Sequence, residues 1–155
     1  MNPYAPPEAT VQDQPSKPGS AFKAIALGLV VDIGGSLIGT VLLALVYGVS
    51  LGAAGVKRED IAAAMQASAT DSWFFYVGML VGLGFSVLGG YVCARIARRS
   101  ELKLGAILAA LSAFSGLAIA GDEQQLGTLL SLTLLGIGAV LAGARLGLAK
   151  NRIGR

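Results

Sequence analysis

The chain has 155 residues, 54% of them apolar and 14% charged, with a mean hydropathy of +0.69 and a net charge of +3. Soluble domains carry about 25% charged residues, so this composition leaves too little polar surface to cover a soluble fold. There is no histidine and only one cysteine, Cys93, which excludes the commonest metal ligand and general base, an intramolecular disulfide and a thiolate metal cluster.

Residues 1–21 are polar and hold all five prolines, Pro3, Pro6, Pro7, Pro15 and Pro18. Proline fixes φ and lacks an amide donor, so this stretch reads as a disordered cytoplasmic tail. From Phe22 to Val49 the chain is apolar apart from Lys23, Asp32, Ser36, Thr40 and Tyr47. That run is much longer than the apolar core of a secretory signal, about 7–15 residues, and reads as a retained membrane span. Three more spans are expected over 73–97, 102–120 and 126–149. At 1.5 Å per residue about 20 residues cross a hydrocarbon core of about 30 Å. All four must be helices, because lipid offers the backbone no hydrogen-bond partners.

The connections differ in kind. Between spans one and two, Arg58 to Ala69 has helical spacing with Ile61 and Met65 on one side, which predicts a short amphipathic helix at the membrane surface. Thr70, Asp71 and Ser72 follow as capping residues for span two. The links after spans two and three are short, so the helices they join are antiparallel neighbours. Residues 150–155 form a basic tail.

Lysine and arginine are divided ten to two. Lys17, Lys23, Arg95, Arg98, Arg99, Lys103, Arg145, Lys150, Arg152 and Arg155 fall on one side, and Lys57 and Arg58 on the other. Positive residues are retained in the cytoplasm, so both termini are expected inside. The fold expected is an all-α, four-span transmembrane helix bundle, N-in and C-in. The cytoplasmic basic residues suit anionic lipid and do not form a nucleic-acid patch.

Small residues recur at helical spacing within the spans. Gly78, Gly82, Ser86 and Gly90 are each four apart in span two, and Gly143 and Gly147 in span four. Such rows allow close backbone approach in lipid, either within the chain or in a homo-oligomer or a complex with other membrane subunits. In span one Gly28, Asp32, Ser36 and Thr40 are also four apart, a polar stripe that should face other helices or a small wet cavity.

Asp32 lies roughly 13 Å along the helix from Lys23, well inside the membrane. On insertion scales an aspartate near the bilayer centre costs about 2.5–3.5 kcal/mol, so its presence calls for a function or a partner. In a structural reading it is neutral, or paired with Arg95 or Arg145, with Tyr91, Ser86, Ser112 and Thr133 as further hydrogen-bond candidates. In a functional reading it exchanges protons or cations with a substrate path. Arg95 and Arg145 can also snorkel to the headgroups. No catalytic set is apparent: an intramembrane aspartyl protease needs a second facing acid, and a Ser–His protease needs the missing histidine.

The segment Gly89-Gly-Tyr-Val-Cys-Ala-Arg95, running through a basic turn into a third span at Leu102, resembles small bacterial inner-membrane proteins of uncharacterised families. The resemblance covers spans two and three and implies a multi-pass protein of the bacterial inner membrane. The function expected is that of a non-enzymatic membrane component, an accessory, scaffold or assembly protein without cofactor or metal. The alternative is a small proton- or cation-coupled transporter using Asp32.

Overall fold

The computed structural model describes residues 19–67, 73–98, 100–119 and 126–153. Among them every regular element is helical: α1 (Ala21–Leu29), a π-helical turn (Val30–Gly34), α2 (Gly35–Ala53), α3 (Ile61–Ala67), α4 (Trp73–Ala97), α5 (Glu101–Ile119) and α6 (Leu126–Ile153). Because α1, the π turn and α2 run on without a break, the first span is one helix over Ala21–Ala53. Together with α4, α5 and α6 it makes four helices long and apolar enough to cross a membrane, and the chain is a multi-pass membrane protein on that ground. Leu42, Leu80, Phe114 and Leu134 point outward and are more than half exposed, which lipid tolerates and water would not.

The helix ends follow local chemistry. Ser20 caps α1, its hydroxyl accepting from the Lys23 amide at 3.5 Å. The reversal between α4 and α5 places Arg98 (φ 48°) and Ser100 (φ 53°) in the left-handed region, which costs a non-glycine residue energy and lets the turn be this tight. The last helix continues to Ile153, four residues past the expected end of the span, so most of the expected basic tail is helix. Thr70, Asp71, Ser72, most of the proline-rich segment and the connection 120–125 lie outside the described residues.

Packing is concentrated at one end, which also holds the α4–α5 turn. There α4 is the central helix, and its two adjacent glycines face different neighbours. A Cβ at Gly89 would sit 2.8 Å from the Gly28 carbonyl of α1, while one at Gly90 would overlap the Val140 carbonyl of α6. From the other side, a Cβ on Gly143 would overlap the Val87 carbonyl, and one on Gly147 would lie 2.7 Å from Ala94 Cβ. Gly105 of α5 meets Ala144 in the same way. The buried core, Ala24, Cys93, Ala97, Leu108, Ala109 and Val140, lies around these crossings. With lipid outside, such backbone proximity and the dispersion it allows hold helices together in place of the hydrophobic effect.

The far end is held differently. Phe85 of α4 sits in the notch left by Gly35 and Gly39, and Tyr47 stacks on Phe74 at 4.5 Å and meets Trp73 edge-on at 5.9 Å. Ile61 and Met65 of α3 both lie 3.9 Å from where a Cβ at Gly48 would stand, so the short helix folds back on α2. These contacts fasten α2 to α4 and α3. It makes no substantial contact with α5 or α6.

Candidate functional site

Asp32 lies in the middle of the π turn and is only 4% exposed. In an α-helix, positions four apart drift round the axis by about 40° per step, since four residues turn 400°. A π turn closes with i→i+5 bonds and turns less per residue, so it takes out part of that drift. Asp32, Ser36 and Thr40 consequently line one cavity. Gly89 packs directly against the acid: a Cβ there would be 2.8 Å from Asp32 Cβ. Absence of that side chain is what lets the first helix sink onto α4.

The carboxyl has two hydroxyl partners on two other helices. Ser86 of α4 donates to Oδ1 at 2.7 Å, and Ser112 of α5 donates to Oδ2 at 2.5 Å. Both were among the hydroxyl candidates read from the sequence. Arg95, Arg145 and Tyr91, the other proposed partners, do not bond Asp32. Arg95 donates instead to Asn151 Oδ1 at 2.9 Å, and Arg145 points away from the bundle, exposed on α6. Tyr91 is half-buried, with its backbone against Gly147. The physical reason is depth: Arg95 lies nine residues along α4 from Ser86, about 13 Å toward the helix end.

Asp32 forms the floor of a cavity of about 500 Å³ between α2, α5 and α6. Ser36, Thr40, Ser86, Ser112, Ser115 and Thr133 supply hydroxyls, and Leu37, Val41, Leu129, Leu132 and Ile137 supply aliphatic wall. Ala109, Ala113, Gly116 and Gly136 are small and leave the space open. The cleft exists because α2 packs on α4 and makes no substantial contact with α5 or α6. Within the described residues, every buried side-chain nitrogen and oxygen has a partner, and no group of three or more His, Cys, Asp or Glu side chains converges.

A second polar cluster lies at the packed end, which the sequence reading did not anticipate. Asn151, 8% exposed, accepts from Arg95 and donates to the Ala94 carbonyl at 3.0 Å and to Glu101 Oε1 at 3.4 Å. It ties α6 to α4 and to the first turn of α5, where the Glu101 carboxylate also complements the helix dipole. Asn151 falls four residues after Gly147, which itself follows Gly143 by four, and that spacing was the available signal.

The expected small-residue contacts divide. Gly90, Gly143 and Gly147 meet another helix at close range, Gly78 makes an ordinary contact with Leu43 (3.6 Å to a Cβ), and Ser86 is engaged with Asp32. Gly82 meets nothing within 4 Å, so within the chain it is not a packing residue. Four-residue steps drift about 120° over the three steps between Gly78 and Gly90, so the row does not stay on one face. No protein-family model matches the chain, no curated protein is similar to it in sequence, and no solved structure matches its fold.

Proposed function

We propose that the protein is a small, non-enzymatic carrier of the bacterial inner membrane in which Asp32 binds a proton or a cation. One observation carries this reading: the buried carboxyl forms the floor of a hydroxyl-lined cleft, and both its partners are neutral. A purely structural acid needs no cavity beside it, whereas a coupling acid needs a path. The ten-to-two division of lysine and arginine supports placing the packed end in the cytoplasm and the far end outside, and the cleft would then open outward. The same basic residues suit anionic lipid headgroups.

The test is flux. Purified protein is placed in vesicles with a pH-sensitive dye inside, and a proton or sodium gradient is imposed. Wild type should dissipate one of the two, and Asp32→Asn, which keeps an acceptor oxygen but cannot release a proton, should not. Equal, near-zero flux from both proteins under both gradients contradicts the carrier reading.

A second reading, an accessory or scaffold component that packs against a second copy or another membrane subunit, is favoured by Gly82, Gly84 and Gly138. Space at all three is open. Under this reading Asp32 is a tie between α4 and α5, Asp32→Asn is neutral, and Gly82→Leu lowers oligomer size in mild detergent.

A further inference from the structure

We infer that the cleft takes an organic ammonium ion bearing N–H groups, a primary or secondary alkylamine in its protonated form, with nitrogen at Asp32 and its alkyl part along the aliphatic wall. This inference rests on the reading of Asp32 as a working carboxyl and adds the class of ligand. It comes from where the hydroxyl hydrogens go. Ser86 and Ser112 give theirs to the carboxylate. Ser115 gives its own to the Leu111 carbonyl at 2.9 Å, and Thr133 to the Leu129 carbonyl at 2.8 Å. All four residues line the cleft.

What these residues leave to an occupant is lone pairs: those of four hydroxyl oxygens and the remaining ones of the carboxylate. Ser36 and Thr40 add hydroxyls that can donate or accept, so the preference is set by the carboxylate, the one charged group of the lining, which repels an anion. It suits a charged donor. No lysine, arginine or aromatic ring is among the lining residues. Quaternary ammonium ions are held chiefly by aromatic faces, so without them the N–H groups must supply the attraction. The volume of about 500 Å³ and the aliphatic wall are those of a small-molecule site, where a few polar groups orient a mainly apolar ligand. A bare metal ion would leave that wall without a role.

The experiment measures binding to the purified full-length protein in detergent, by thermal stabilisation and by equilibrium dialysis. The probe is hexylammonium chloride, and the controls are hexyltrimethylammonium, hexanol and hexanoate. Hexylammonium should bind saturably, and hexyltrimethylammonium should bind about tenfold more weakly or less, since it cannot donate to the acceptors. Hexanol and hexanoate should not saturate. Asp32→Asn should lose the hexylammonium site. Gly136→Leu should lose it too: a Cβ at Gly136 meets nothing within 4 Å, so the leucine fills the cleft without disturbing the fold. Should the Asn variant fail to fold, the Gly136 variant decides.

Hexylammonium binding matched by hexyltrimethylammonium, or retained in Gly136→Leu, overturns the inference. So does no saturable binding at all. The vesicle flux is independent of this result: Asp32-dependent flux without hexylammonium binding removes the ligand class and leaves the carrier. Binding without flux leaves a receptor site and removes the carrier.

Discussion

At the packed end, four helices meet through glycine and alanine, and the residues at the crossings, Ala24, Cys93, Ala97, Leu108 and Val140, are almost completely buried. At the far end, aromatic rings hold α2 to α4, and α2 makes no substantial contact with α5 or α6. The same chain thus builds a floor and a mouth from one set of helices. What differs is whether backbone faces backbone. Glycines at Gly28, Gly89, Gly90, Gly143 and Gly147 face another helix, whereas Gly82, Gly84, Gly116, Gly136 and Gly138 face open space. A small residue permits close approach but does not compel it. Compulsion comes from a partner with a matching gap and from polar ties such as Asn151.

The largest expected effect contrasts two glycines. Leucine at Gly143 would drive into the α4 backbone at Val87 and Tyr91, and should cost about 3 kcal/mol or more, beyond ordinary overpacking because the obstacle is main chain. Leucine at Gly82 should stay within about 0.5 kcal/mol of wild type. Thermal unfolding in detergent measures both, and equal losses would erase the distinction between the two ends.

A smaller effect is expected from Gly89→Ala, which presses on both Asp32 and the Gly28 carbonyl. A loss of about 1–3 kcal/mol follows for overpacking at a site where neither neighbour is a flexible side-chain end. Asn151→Leu should cost about 1–3 kcal/mol, because it strips Arg95, Glu101 and the Ala94 carbonyl of a partner at once. Removing the far-end clasp should cost less. Phe74→Leu keeps apolar volume and forfeits the ring pairings with Tyr47 and Trp73, about 0.5–1.5 kcal/mol for a pair, and it should loosen α2 without unfolding the packed end. Hydrogen exchange read separately for α2 and α6 distinguishes loosening from global loss.

The spans were legible because length and apolarity alone decide them, and the interior position of Asp32 could be read from the same count. The carboxyl's neighbours were legible only in part. Ser86 and Ser112 could be named as hydroxyls that would have to face inward, but which residues of α4 and α5 stand at the depth of Asp32 depends on how the helices slide past one another. Periodicity within one helix carries no information on that, which is why Arg95 looked as suitable as Ser86. The π turn left no mark either, since Val30-Val-Asp-Ile-Gly34 has no residue that breaks an α-helix. Asn151 was missed because a basic segment at the end of the chain was read as a tail, although it continues the four-residue row of Gly143 and Gly147.

The central claim is that a water-accessible cleft stands above a sealed floor, and cysteine labelling tests it most directly. The chain supplies its own control in Cys93, fully buried at the packed end. A thiol reacts as thiolate, which requires contact with water. A water-soluble maleimide applied to the folded protein should leave wild type unlabelled and add one label to Gly136→Cys, with hexylammonium slowing that reaction. Labelling of Cys93 as fast as of the new cysteine would contradict the sealed floor, and an unreactive Gly136→Cys would contradict the open cleft.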